Sequence, residues 1–594
     1  MKKFALLFTL VLIFTAVFTV AAEDFPREES LTTNGQQWGA PANFNPYALS
    51  NIAWPVADTR RIPIYESLYM YNMLTNENEP LLADGPIVWE DDYNIIVKIK
   101  PVAHWSDGEP LTADDVVFTF NSLDPDVIGY QTQWSDVWTY LEKVEKVDDL
   151  TVRFTIPAEP YNVHMLPSYL ADTRIFPKHI WEPLFEGELK ETTAKQEYFN
   201  ENPIGSGPFK LRFYDETRIV LERDDNYWGQ DPSMFGKLTE VKYFVHPIFE
   251  SNEAGNLAFA QGEIDVSQQF IPSIWDIQKQ LVDENGKSLV TTYFPEAPYQ
   301  LGYSMPSLVI NMTKPGLDDF TVRKAIALSL DFEAIGTNAM SGYTQPIEIS
   351  LFNNYLFKDY LDYDDEEMLS LMWDTTDLDG NRATANAMLD EAGYKDIDGD
   401  GMREMPDGSK IEWKAMCPAG WSDWNMSLEI LSESAKAIGL NIITDFPEWS
   451  VVQPKMYSGD FDIVMWSPFP NPSVANPWRW AWTPLYSKGV PPFGQSAYRN
   501  FNRYHNDRVD ELLDQAAVSK DKDEQIQIYT EINKIWLSEL PTIPLMYRPS
   551  SFQTTYEGVW TGFAKNGDGS NIPPLDCTDQ AAIKDLYNLK PVKK

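Results

Sequence analysis

The chain has 594 residues, too many for one hydrophobic core, so several domains are expected. With 89 acidic against 47 basic residues, its net charge is −42, a surface that repels phosphate backbones and anionic lipid heads and argues against nucleic acid as a partner. Its two cysteines, Cys417 and Cys577, are far apart in sequence, a spacing as compatible with buried free thiols as with a disulfide.

Residues 1–22 read as an export signal: Lys2 and Lys3 open it, Phe4 to Val20 is apolar, and Val20-Ala21-Ala22 offers small residues for cleavage. The apolar run is near the lower limit for a membrane anchor, but small residues and EDFPREES follow it at once. Loss of the two lysines takes the charge from −42 to −44, and no later apolar run approaches membrane-spanning length. Strands are expected at Asn94–Ile99, Thr151–Ile156, Arg218–Glu222 and Lys242–His246, with a helix starting at the capping box Thr112-Ala113-Asp114-Asp115. Further strands are expected at Leu308–Asn311, Ile411–Met416, Asn441–Thr444 and Ile463–Trp466. Helical spacing of apolar residues marks Phe320–Leu330, Asn506–Val518 and Asp523–Leu537. The mixture predicts an α/β or α+β protein.

Six segments then occur in order: WSDGEPLTADDVVFTFNSL (Trp105–Leu123), NPIGSGPFKL (Asn202–Leu211), FAQGEIDV (Phe259–Val266), FTVRKAIALSLDFEAI (Phe320–Ile335), GDFDIVMW (Gly459–Trp466) and IYTEINKIWLSELPTIPLMY (Ile528–Tyr547). Together they resemble the extracytoplasmic solute-binding proteins of the oligopeptide/dipeptide type, family 5, which feed ABC importers. Locally, Gly205 and Gly207 read as a turn delivering Phe209 into a strand. The resemblance implies an α/β fold of two lobes, a class II periplasmic binding protein with an extra insertion domain, and a ligand cleft between lobes that closes by a hinge. The implied boundaries are 23–61, 199–305 and 548–594 for lobe I, 62–198 for its insertion and 306–547 for lobe II. An ABC permease is the implied protein partner, and a monomer the implied state.

Catalytic chemistry finds little support. The five histidines, His104, His164, His179, His246 and His505, show no metal-ligand spacing, and no nucleophile elbow or P-loop occurs. A secreted glycoside hydrolase stays as a remote alternative, because so many acidic residues supply carboxylate pairs by chance. No cofactor is expected. One structural metal site is a candidate: Asp396, Asp398, Asp400, Met402, Glu404 and Asp407 lie on a D-x-D-x-D-G loop, where alternate carboxylates around Gly401 suit Ca²⁺. Against it, the last ligand is Asp rather than Glu, and a strand follows rather than a second helix. The competing reading is a solvated acidic turn.

The ligand is read from aromatic residues, of which the chain has 20 Trp, 29 Tyr and 31 Phe. In peptide-binding relatives, the loop after the strand matching FDIVMW carries an Asp that anchors the peptide ammonium. Here that position falls on Asn471, which cannot supply a charge-assisted bond but can pair with a hydroxyl. A pyranose has a C–H face suited to an indole and a rim of hydroxyls. The expected ligand is therefore a β-linked gluco- or manno-oligosaccharide, with an oligopeptide held through Arg479, Arg499 or Arg503 as the alternative. Candidate contacts are Trp38, Trp54, Trp134, Gln268, Trp421, Trp424, Trp449, Trp466, Asn471, Trp478 and Trp480. The segment Phe461–Tyr486 reads as a proline-stiffened loop presenting Trp466, Trp478 and Trp480, with Trp482 packed against the lobe. Trp413 and Trp536 are expected in the core.

Overall fold

The computed structural model describes residues 25–593 apart from 38, 42, 49–51, 57–61, 131, 133, 250, 294–298, 300–303, 345–346, 471–475, 549–553, 566–567 and 576–579. The export signal, Trp38, Asn471 and Cys577 thus lie outside the described residues. The architecture is mixed α/β with two principal sheets. One has seven strands in the order Val290–Thr292, Thr554–Tyr556, Val266–Ser267, Ser30–Asn34, Tyr243–Pro247, Arg218–Arg223 and Phe209–Tyr214. The other has five, in the order Ile442–Asp445, Trp413–Met416, Ile463–Trp466, Ser307–Ile310 and Thr542–Pro544. The layers built on them are the first and second lobes. A separate four-stranded antiparallel sheet holds Val88–Trp89, Asn94–Lys98, Thr151–Thr155 and Lys143–Asp148.

The central strands of the second lobe are apolar along their length. Ser307–Ile310 is buried at every position, as are Ile463 to Met465, the pattern of strands covered on both faces. Trp413–Met416, Ile442–Asp445 and Ile463–Trp466 are mutually parallel, and the helices Ser422–Lys436 and Trp449–Ser458 connect them in turn. These are two β-α-β units, and they bring three strand carboxyl ends to one edge. Trp413 and Trp536 are buried at 3% and 0% exposure, as expected of core rings.

Two chain crossings join the lobes. Ser304 and Arg548 exchange backbone hydrogen bonds of 2.9 and 2.8 Å, and the Leu545 N–H donates to the Pro306 carbonyl. Loop 340–344 of the second lobe also packs on the first, where Phe270 and Trp275 lie 5.9 and 5.7 Å from the Tyr343 ring. The four-stranded unit touches the second lobe: the Val163 N–H donates to the Ala517 carbonyl, the Asn476 amide donates to the His164 carbonyl, and Tyr140 packs edge-on against Trp478.

Local details follow the sequence closely in places. The Thr112 N–H donates to Asp115 Oδ2 at 2.9 Å, and the helix Ala113–Ser122 follows. Gly205 serves close approach rather than a turn: a Cβ there would stand 1.9 Å from the Ile64 carbonyl oxygen, while Gly207 donates to that same oxygen at 2.8 Å. The segment Phe461–Tyr486 departs most from expectation. It contains the helix Pro477–Leu485, because Pro477 occupies the first helical position, where no N–H is missed, and Asn476 Oδ1 accepts from the Trp478 and Arg479 N–H groups.

Candidate functional site

Four tryptophans converge where the parallel strands of the second lobe end. Trp466 is the last residue of its strand, Trp449 the first of the helix after Ile442–Asp445, and Trp421 the N-cap of the helix after Trp413–Met416, with Trp424 one turn on. Crevices of open α/β sheets form at strand carboxyl ends, where helix N-termini and loops leave room for ligand. Trp449 and Trp466 lie 5.2 Å apart with planes 11° from parallel, and Trp421 stacks on both at 5.8 and 6.0 Å. Trp424 meets Trp466 edge-on at 5.8 Å and is buried. A group sandwiched between two rings needs about twice the 3.5 Å contact distance. These rings are too close for that, so a ligand would lie on their outward faces. Trp421 is 37% exposed, and Trp449 and Trp466 are half-buried.

Trp466 also borders a cleft of about 570 Å³, within the usual range for small-molecule sites. Phe469, Arg479, Trp482, Tyr498 and Arg499 line it from the second lobe, and Asp136 from the four-stranded unit. The arginines are largely occupied. Arg499 lies 4.2 Å over the Trp482 ring and donates to the Tyr486 and Lys488 carbonyls. Arg503 donates to the carbonyls of Tyr457, Pro491, Gln495 and Phe501. Arg479 sits 3.8 Å from Asp172 and over the Tyr169 ring. Among the described residues Asp136 is the one carboxylate bordering this cleft, so it lacks the facing pair that glycoside hydrolysis needs.

The first lobe brings a different kind of group. Gln268 follows the strand Val266–Ser267, which runs parallel to Ser30–Asn34, so it too sits at strand carboxyl ends. It is 6% exposed, and both its amide oxygen and nitrogen are buried without a hydrogen-bond partner among the described residues. The chain continues to Phe270 and Pro272, which share a cleft of about 410 Å³ with Ser422 of the second lobe. Beside Trp424, the Arg548 guanidinium donates to Asp423 Oδ2 at 2.7 Å across the lobe junction.

Several expected contacts are core instead. Trp54 is 1% exposed and packs on Phe244 and His246. Trp134 is buried against Phe176, and its indole N–H donates to the Asp172 carbonyl. Trp478 and Trp480 are buried, their N–H groups given to the Leu513 and Leu351 carbonyls, and Trp480 stacks on Phe469 at 4.4 Å. The reason is helical: Trp478 and Trp482 lie four residues apart and stack at 5.5 Å, and Trp482 rather than its neighbours reaches the cleft. Trp482, expected to pack against the lobe, lines the cleft instead, Arg499 lines it as one of the three expected arginines, and Tyr498 is a cleft residue that the sequence does not mark. Trp482 becomes legible once Pro477 is read as a helix start; Tyr498 carries no local signal.

Among the described residues Asp396, Asp398 and Glu404 bring carboxylate oxygens within 4.8 Å of one another, but groups of the loop itself already engage them. Asp396 accepts from the Gly399 and Gly401 N–H groups, Asp398 from Asp400, Asp400 from Met402, and Asp407 from Ser409. Glu404 Oε2 accepts from the Ile397 N–H. The Lys410 ammonium lies 2.9 Å from Asp398 and 3.3 Å from Asp400, brought there by the bridges pairing Lys395 with Glu404 and Glu404 with Lys410. A lysine of the chain itself thus supplies the positive charge, and the loop is a self-satisfied turn. Cys417 is a buried free thiol, pushed up to about 12 by burial.

Residues 77–489 match the family model for bacterial extracellular solute-binding proteins, family 5 middle. The oligopeptide-binding protein AppA of Bacillus subtilis is 26% identical over 616 aligned positions, covering 99% of this chain and 98% of its own. The probable peptide-binding protein YejA of Agrobacterium fabrum is 24% identical, covering 80% of this chain and 77% of its own. A periplasmic oligopeptide-binding protein of an ABC transporter from Thermotoga maritima, crystallised with mannohexaose, superimposes with a TM-score of 0.77 at 27% identity, covering 96% of this chain and 99% of that one.

Proposed function

The chain belongs to the family 5 bacterial extracellular solute-binding proteins, the substrate-binding components of ABC importers, and from that premise we propose that its ligand is an oligosaccharide. Members of this family bind and deliver; they are not enzymes. One observation carries the sugar reading: Trp421, Trp449 and Trp466 stack into one aromatic surface at the carboxyl ends of three parallel strands. Such a surface suits the C–H face of a β-linked gluco- or manno-pyranose, and rigid rings limit the ordering cost of binding. The mannohexaose-bound Thermotoga protein supports this choice. Gln268 and Asp136 are the polar groups assigned to the hydroxyl rim. On this reading lobe I spans 23–61, 199–305 and 548–594, its insertion 62–198 and lobe II 306–547, and closure about the crossings at Ser304 and Arg548 encloses the sugar. The export signal at 1–22 delivers the chain as an extracytoplasmic monomer to its permease.

The second reading, an oligopeptide ligand, is favoured by the names of the curated relatives. Calorimetry with mannohexaose, cellobiose and a tripeptide separates the two. Binding of either sugar without the peptide supports the proposal; peptide binding without sugar overturns it.

A further inference from the structure

We propose that the sugar ligand is an extended oligomer whose distal units run past Tyr498 into a second cavity between the four-stranded unit and the second lobe; this rests on the oligosaccharide reading above. The second cavity, of about 870 Å³, is larger than the cleft at Trp466, and Asp136 and Tyr498 border both. They adjoin at those two residues. Tyr498 is 75% exposed, which is unusual for so large a ring, yet it is not loose. It packs edge-on against Tyr457 at 4.9 Å, and Tyr457 stacks on Phe501 at 6.0 Å and 14°. A held ring with open faces at the junction of two cavities is a stacking platform.

The far cavity is made for hydroxyls. Thr139, Asp126 and Asp136 line it, with Thr132 and Ser135, whose hydroxyls pair with each other, and Asp124, which accepts from the Asp126 N–H. The Trp138 indole N–H is already given to the Phe120 carbonyl, so its ring offers a surface rather than a donor. The lining includes carboxylates and no cation among the described residues, which suits a neutral oligomer and disfavours an acidic one. The near cleft, bordered by Trp466 of the stacked surface, holds the first units. Longer chains gain contacts that a disaccharide cannot reach.

The test compares mannobiose and mannohexaose by calorimetry on the full chain, wild type and Tyr498→Ala. The exposed ring contributes little to folding, and unchanged melting confirms that the variant is intact. Wild type should bind the hexaose more tightly than the biose. Tyr498→Ala should lose roughly tenfold in affinity for the hexaose, about one stacking contact, and clearly less for the biose, which meets the ring from the near cleft alone. Equal losses for both sugars, or none for the hexaose, overturn the extended path while leaving sugar binding intact. Failure of wild type to bind either sugar overturns the oligosaccharide reading itself.

Discussion

Trp421→Ala offers the sharpest test of the aromatic surface, because its exposure allows the effect to be sized. An aromatic side chain buries roughly 150–250 Å² when fully covered. Trp421 is 37% exposed, leaving roughly 55–90 Å² for a ligand to cover. At about 25 cal/mol per Å², covering that area contributes about 1.5–2 kcal/mol, so its loss should weaken binding about 10- to 40-fold. The cost to the fold is smaller: the ring caps the surface of a helix start and shares its contacts with Trp424, Trp449 and Trp466. Calorimetry with mannohexaose, alongside thermal melting, reads both quantities. Affinity within twofold of wild type, in a protein that melts normally, would refute the assignment of this surface to the ligand.

Trp480→Ala should behave in the opposite way. Its ring is 1% exposed and its N–H is given to Leu351, so the variant should lose about 3–5 kcal/mol of stability, seen as a depressed melting temperature. Asp585 provides a pH test. Burial pushes its carboxyl up to about 7, above the unfolded value near 3.9, so its stabilising contribution is complete below pH 4 and is lost as the pH rises through 7. Asp585→Asn keeps an acceptor for the Ala564 N–H, which lies 2.9 Å away, and removes the charge; it should melt higher than wild type at pH 8 by a margin that shrinks as the pH falls toward 4. A variant that melts lower at pH 8 contradicts this account. Chelation should leave melting unchanged, because Lys410 already pairs with Asp398 and Asp400; a clear drop in EDTA would return the loop to metal binding.

What was legible in the chain follows from which interactions are local. The strand Ile463–Trp466 appears with the bounds read from the sequence, since a short apolar run bounded by turns has few other fates. The convergence of Trp421, Trp449 and Trp466 was half legible. Each follows or ends a strand, but only the parallel order of the three strands brings the rings together. Trp54 and Trp134 carry no local mark of burial; Phe244 and Phe176, far away in sequence, cover them. Five prolines read as a loop, but Pro477 at a helix start imposes a 3.6-residue period that turns Trp478 and Trp480 inward. The D-x-D-x-D-G pattern resembles a cation site until the hairpin folds Lys410 back onto it.

The two lobes divide recognition unequally, and that division bears on how the cleft closes. The aromatic surface belongs wholly to the second lobe, so a sugar can dock there before the lobes meet. The first lobe brings Gln268, whose buried amide has no partner among the described residues. An unpaired buried amide costs about 1–3 kcal/mol. On the proposed reading, which assigns Gln268 to the hydroxyl rim, a ligand hydroxyl that meets this amide removes that cost. The ligand then favours the closed form by its differential interaction with Gln268, which is the only way a ligand can shift such an equilibrium. Stacking surfaces alone, being confined to one lobe, would bind open and closed forms alike and leave the hinge indifferent to the sugar.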